Sequence, residues 1–139
     1  MNYLLDTNVI SELVAKQPSS KVLQWLRELD DNQIYLSAIT IGELKQGIEK
    51  LPDSLRKETL REWLANDLLV RFNTQILPID LDVMLTWGQL SALLGKKGRI
   101  LPVMDSLMAA LALQRHLTLV TRNEGDFKDT GVTITNPWL

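Results

Sequence analysis

Tyr3-Leu4-Leu5-Asp6-Thr7-Asn8-Val9-Ile10 begins apolar, turns polar for three residues, and is apolar again at helical spacing. Three apolar residues with no polar alternation predict a strand buried on both faces, as in a parallel sheet. Thr7 or Asn8 can then cap a helix that buries Val9, Ile10, Leu13 and Val14. A strand leading straight into a helix is the opening unit of an α/β domain. The same unit recurs along the chain. Ile34-Tyr35-Leu36 predicts a second strand, followed by a helix with Leu44, Ile48 and Leu51 at i, i+4 and i+7. Leu117-Thr118-Leu119-Val120-Thr121 is a strong strand, and Val132-Thr133-Ile134 a weaker last one.

Helices fill the intervals. Pro18-Ser19-Ser20 ends the first helix and starts another, with Val22, Leu23, Trp25, Leu26 and Leu29 on its apolar side. Asp30-Asp31-Asn32 reads as a turn, and Pro52-Asp53-Ser54 as a break. A long helix is predicted from Leu55 to about Phe72, with Leu60, Trp63, Leu64 and Leu68 on one side. Gln75 to Ile79 reads as a short strand, placed near an edge by Pro78. Helices follow over Leu81 to Leu94 and, after Pro102, over Val103 to Arg115. Gly95-Lys96-Lys97-Gly98-Arg99 between them reads as an exposed basic loop. No repeat or linker divides the chain. The pattern predicts one three-layer α/β/α domain over 1–139 with a mostly parallel central sheet.

Composition narrows the chemistry. The 139 residues are 45% hydrophobic and 23% charged, which excludes disorder, collagen and coiled coil. The longest apolar run, Leu107 to Leu113, is too short to span a bilayer. Asp6, with no basic segment before it, argues against a signal peptide and predicts a cytoplasmic protein. There is no cysteine and only one histidine, His116. Thiolate sites, disulfides and multi-histidine metal sites are excluded, and a Ser-His-Asp triad is disfavoured. Hydrolytic chemistry, where present, falls to carboxylates.

Four of these fall after strands or at adjoining helix starts, and open α/β sheets bind ligands beyond the carboxyl ends of their strands. Asp6 directly follows the first strand, although an acid there also suits a helix start. Glu43 sits on the rim of the third helix's apolar stripe; a surface acid is the alternative. Asp105 lies in the first turn after Pro102, among Met104, Leu107, Met108, Ala109 and Leu111. A buried acid of this kind needs a partner. Asp126 follows the strand that ends at Thr121, within a segment that can also be a plain polar turn. Crowded carboxylates repel by about 4 kcal/mol per pair at 4 Å and an effective dielectric near 20. Hard divalent cations relieve that repulsion, because Mg²⁺ and Mn²⁺ prefer oxygen ligands. The formal net charge is -2. Two divalent ions would reverse its sign and let the same surface accept phosphates. A metal-dependent phosphoryl hydrolase follows from the residues.

Four pieces carry a resemblance. They are Leu4 to Leu13 (LLDTNVISEL), Leu36 to Leu44 (LSAITIGEL), Pro102 to Ala110 (PVMDSLMAA) and Leu119 to Phe127 (LVTRNEGDF). In this order and spacing the chain resembles the PIN-domain endoribonucleases, specifically the VapC-type and FitB-like toxins of type II toxin–antitoxin pairs. The resemblance implies a pocket of Asp6, Glu43, Asp105 and Asp126 that binds Mg²⁺ or Mn²⁺. A metal-activated water would hydrolyse an RNA phosphodiester. Thr7, Asn8, Thr121 and Asn123 match polar positions that hold the pocket. The fourth acid has competitors in Glu124 and Asp129, and Glu12 is an extra acid beyond Asp6.

The resemblance also implies a cognate antitoxin, a homodimer, DNA contact only through the antitoxin, and no membrane partner. An antitoxin groove could use Trp25, Leu29, Leu60, Trp63 and Leu64, or these could be core. Trp87 and Trp138 are undecided. The helix from Leu81 to Leu94, with Ile76-Leu77, is the expected dimer element. Lys96, Lys97 and Arg99 either touch RNA or are simply solvated. Arg122 lies nearer the acids and either contacts substrate or pairs with a carboxylate. His116, near a helix C-terminus, carries no catalytic role. An aspartyl-phosphate phosphatase is disfavoured because Asn8 stands where its second Asp would be, and a receiver domain fails similarly. A non-catalytic PIN scaffold that binds protein or RNA is the remaining rival.

Overall fold

The computed structural model describes residues 1–139. Five strands form the sheet: β1 (Tyr3–Leu5), β2 (Ile34–Ser37), β3 (Ile76–Leu77), β4 (Thr118–Val120) and β5 (Ile134–Thr135). Their spatial order is β3-β2-β1-β4-β5, and every pair is parallel. The chain fills one side of β1 with β2 and β3, then crosses to add β4 and β5. That reversal makes the gap between β1 and β4 a topological switch point, where loops diverge and leave a crevice. Asp6 leaves β1 at this place and Thr121 leaves β4 there. The ladder continues one residue beyond β1, with Asp6 N–H donating to Val120 O at 2.9 Å.

The strands are short because both their faces must be apolar. Leu4 is paired with Leu119 and Leu5 with Val120. Successive side chains point to opposite faces, so Leu4 and Leu119 enter one core, and Leu5 and Val120 the other. The first helices, α1 (Thr7–Ile10) with a 3₁₀ turn over Ser11–Val14, α2 (Ser20–Arg27), α3 (Ala38–Glu49) and α4 (Leu55–Glu62), cover the Leu5 face. Tyr3 and Trp25 meet edge to face there, with ring centroids 5.1 Å apart. After α4 the chain continues through a π-helical segment, Trp63–Leu68, into α5 (Leu69–Arg71). Helices α6 (Leu81–Lys96) and α7 (Val103–Arg115) pack together over the Leu4 face.

Five details differ from the sequence expectation. Neither Thr7 nor Asn8 caps α1. Asp6 does, in an extended conformation (φ -68, ψ 157) with its Oδ1 accepting from Thr7 N–H at 2.8 Å. The helix after Pro52 is not uniformly α: the π turn sits over Trp63–Leu68. The Gln75–Ile79 strand contracts to Ile76–Leu77 at the sheet edge, where Pro78 need not donate to a ladder. The last strand is displaced to Ile134–Thr135 because its pairing with Leu119 and Val120 sets the register. Gly95 and Lys96 belong to α6, so the basic loop begins only at Lys97. His116 closes α7 in the left-handed conformation (φ 57) and serves as its cap.

Candidate active site

Asp6 is the centre of the switch-point crevice and is 8% exposed. Its Oδ2 accepts from the Thr121 hydroxyl at 2.9 Å and from Asn8 Nδ2 at 3.4 Å. Thr121, fully buried, therefore ties the end of β4 to the end of β1 through side chains. Its oxygen also accepts from Asn123 N–H at 3.1 Å. Asn8 is bound on both ends, because its Oδ1 accepts from Arg122 N–H at 3.4 Å. The predicted polar residues thus form one network around the first acid.

Glu43 approaches from α3. Thr7 Oγ lies 2.7 Å from Glu43 Oε1 and 3.1 Å from Thr40 Oγ1. Thr7 has one hydroxyl proton, and an ionised carboxylate can only accept. The proton therefore goes to Glu43, and Thr40 donates to Thr7. Ser37, whose oxygen accepts from Thr40 N–H at 3.0 Å, completes the chain 3.3 Å from the Thr40 hydroxyl. Ser37 and Thr40 are both wholly buried. Neither was singled out from sequence, although Ser37-x-x-Thr40-x-x-Glu43 repeats every three residues along one helix face. This line of hydroxyls aims Glu43 at the crevice.

Asp105 stands half-buried in the first turn of α7, and Asp126 is exposed in a 3₁₀ turn, Glu124–Phe127. Burial pushes the Asp6 carboxyl above its ordinary value. Hydrogen bonds from Thr121 and Thr7 oppose this, and the charges of Glu43 and Asp126 reinforce it. Asp105 is raised too, first by burial and then by the charges of Asp6, Asp126 and Glu43. The four acids named from sequence therefore share one electrostatic neighbourhood. The two competitors for the fourth place are otherwise engaged. Glu124 Oε2 accepts from Asn136 Nδ2 at 3.3 Å, and Asp129 pairs with Arg99 at 3.5 Å. Glu12 is half-buried in the 3₁₀ turn after α1 and adds no charge felt at Asp6 or Asp105.

No three acidic side chains are gathered tightly enough to enclose an ion. The donor set itself, carboxylate oxygens with no nitrogen or sulfur, fits a hard divalent cation. No lysine or arginine pairs with any of the four. Among the bases considered from sequence, Arg99 is taken by Asp129, while Arg122 lies with its guanidinium carbon 5.3 Å from the centre of the Trp138 ring.

Beside Glu43 runs a groove of about 270 Å³ lined by Thr7, Val14, Ile48, Leu60 and Trp63, among others. Of the groove residues expected from sequence, Leu60 and Trp63 line it. Leu64 is core, and Trp25 and Leu29 pack against that core. Trp87 donates from its indole N–H to Ser106 Oγ at 2.9 Å.

Carboxylates held by threonine and asparagine at the switch point of a five-stranded parallel sheet define a class, and the comparisons agree with it. The PIN domain family matches residues 3–132, and the chain belongs to that family. It is 39% identical over 135 residues to Toxin FitB of Neisseria gonorrhoeae, which covers 97% of each chain. It is 34% identical to VapC ribonuclease Y4jK of Sinorhizobium fredii, across 97% of this chain and 96% of that one. Its fold superposes on the structure of FitAcB from Neisseria gonorrhoeae with a TM-score of 0.93, 39% identity and 98% of both chains covered. It also matches a structure of FitAB bound to an IR36 DNA fragment, with a TM-score of 0.94 and 36% identity over 99% of this chain and 96% of that one.

Proposed function

We propose that this chain is the toxin of a type II toxin–antitoxin pair and an endoribonuclease that requires Mg²⁺ or Mn²⁺. One observation carries it: the charges of Glu43 and Asp126 add to burial in raising both Asp6 and Asp105 at the switch point, and no lysine or arginine pairs with any of the four. The printed names of the relatives, a toxin and a VapC ribonuclease, support the same reading.

The four carboxylates are the groups that would hold the ion. When bound, the divalent cation supplies positive charge that promotes attack by water on a phosphodiester and offsets charge on the departing oxygen. The rest belongs to the chain. Thr121 and Thr7 N–H donate to Asp6 and favour its charged form despite burial. The Ser37–Thr40–Thr7 line orients Glu43. Asn8 and Asn123 hold the two loops in register.

Partners follow from the same class. A cognate antitoxin segment would occupy the groove beside Glu43, and DNA would be reached only through that antitoxin. A second copy would cover α6, whose Leu81, Met84, Leu85 and Leu93 are exposed. The whole of 1–139 acts as one domain, in the cytoplasm. No helix is long and apolar enough to cross a membrane.

The test is RNA cleavage by antitoxin-free protein with Mg²⁺, with Mn²⁺ and with chelator, beside Asp105→Asn protein purified in parallel. Metal-dependent fragments from the wild type alone are expected. Equal cleavage by both proteins, or cleavage that survives chelation, refutes the assignment.

A further inference from the structure

Arg122 is a cation in an acidic corner that pairs with no acid. Its side chain is exposed, and its guanidinium lies over the Trp138 ring, 5.3 Å from the centroid. Its backbone is fixed on both sides. Its N–H donates to Asn8 Oδ1, and its carbonyl accepts from Asn136 Nδ2, each at 3.4 Å. Asn136 Nδ2 also reaches Glu124 Oε2 at 3.3 Å, which engages an acid only two residues from Arg122 in the chain. Asn136 Oδ1 in turn accepts from Trp138 N–H at 3.0 Å, so one asparagine sets both the arginine's backbone and the ring beneath it.

This geometry has a consequence for what Arg122 can bind. A cation–π contact places the guanidinium over the face of the aromatic ring. The five guanidinium N–H donors lie in its own plane and point outward from the edge. Contact with the Trp138 ring restrains the group, and because no acid pairs with it and it is exposed, its N–H donors remain available to a ligand. The neighbouring residue, Thr121, holds Asp6 directly. We infer that Arg122, braced by Trp138 and Asn136, grips a backbone phosphate of single-stranded RNA next to the one that is cleaved. Paired in-plane N–H groups suit phosphate oxygens better than a lysine does. Trp138 and Asn136 are positioning residues that act through Arg122.

The assignment rests on the ribonuclease reading of the acids, and its test separates the two. The probe is a short fluorescein-labelled single-stranded RNA of mixed sequence. Its anisotropy is followed with Ca²⁺ in place of Mg²⁺, gels confirm that it stays intact, and KCl is varied from about 50 to 200 mM. Arg122→Gln is expected to weaken binding about tenfold at low salt. It should also reduce the slope of log affinity against log salt by about 0.7, the loss of one single-strand phosphate contact. Arg122→Lys should keep the slope. Trp138→Leu should weaken binding with the slope retained, and Trp138→Phe should restore it. Unaltered affinity and slope in Arg122→Gln, with wild type binding the RNA, overturns the Arg122 assignment and leaves the ribonuclease reading standing. Wild type with no affinity for RNA overturns both.

Discussion

Acids in this chain live under two opposite regimes. Along the seam between α3 and α4, Glu49, Glu58 and Asp53 each have a cation. Glu49 accepts from Arg61 through two nitrogens, at 2.8 and 2.6 Å, and from Lys45 at 3.1 Å, which holds its carboxyl down at about 2. Glu58 takes a third nitrogen of Arg61, and Asp53 takes Lys57. At the switch point the acids meet only hydroxyls, amides and one another, and Asp6 and Asp105 are pushed up instead. The seam acids are neutralised within the fold, whereas burial and like charge act together on Asp6 and Asp105, which is the setting the proposed cation would relieve.

The contrast breaks most sharply by neutralising a switch-point acid. Asp105→Asn or Asp6→Asn should cut RNA cleavage by more than about a hundredfold, beyond the usual cost of losing a group that only orients a ligand. Circular dichroism should show an intact fold. Near-normal turnover in both would sink the site.

Thr121→Val comes next. It removes a hydrogen bond that favours ionised Asp6, so it should cost about 10–100-fold in activity. The acid limb of the pH–rate profile should move to higher pH. A limb that stays in place would show that Thr121 is only packing.

The third expectation concerns stability. Asp105 titrates above its unfolded value in the folded chain, so folding takes up a proton between the two values. Its contribution is therefore most favourable below the unfolded value, near about 3.9, and is lost as pH rises through the raised value. In metal-free buffer Asp105→Asn should melt a few degrees above wild type at neutral pH, and the gap should close towards pH 4. Mg²⁺ should raise the wild-type Tm and leave the variant nearly unmoved. A variant that melts below wild type without metal would argue against crowded charge. Asp6→Asn should gain less, because Asp6 also caps α1 and accepts from Thr121.

The smallest effect belongs to the seam. Arg61→Ala should shift Tm by no more than about 2 °C, since exposed ion pairs contribute little. Glu49 is depressed, so what it adds is present above the ordinary carboxylate value and fades as pH falls through about 2. Cleavage should be untouched. A large loss of activity there would erase the distinction between the two regimes.

Much of this was legible in the chain itself. Strand-to-helix units, the parallel sheet and the edge position of Pro78 follow from apolar runs and turn residues, because burial on two faces leaves a local trace. Asp6 and Asp105 could be named for a similar reason, because Asp6 directly follows a strand and Asp105 sits in the first turn of a helix; Glu43, expected near a helix start, lies in the middle of α3. Three things were not legible. Asp6 as its own helix's cap depends on the extended backbone that β4 pairing imposes on it. That Glu124 and Asp129 are engaged, and Asp126 is not, depends on Asn136 and Arg99, both distant in sequence. The exclusion of Trp25 and Leu64 from the groove depends on which side of a helix faces the core.

Sequence determined the α/β class, the alternation of layers and the residue types able to do the chemistry, because hydrophobic period and chain punctuation are local properties. Tertiary structure alone decided which acids share a field, which hydroxyl serves which carboxylate, and that Arg122 rests on Trp138 and leaves the acids unpaired. Electrostatic coupling depends on distance through space. Here that distance is set by strands 115 residues apart in the chain lying side by side, as Asp6 and Thr121 do.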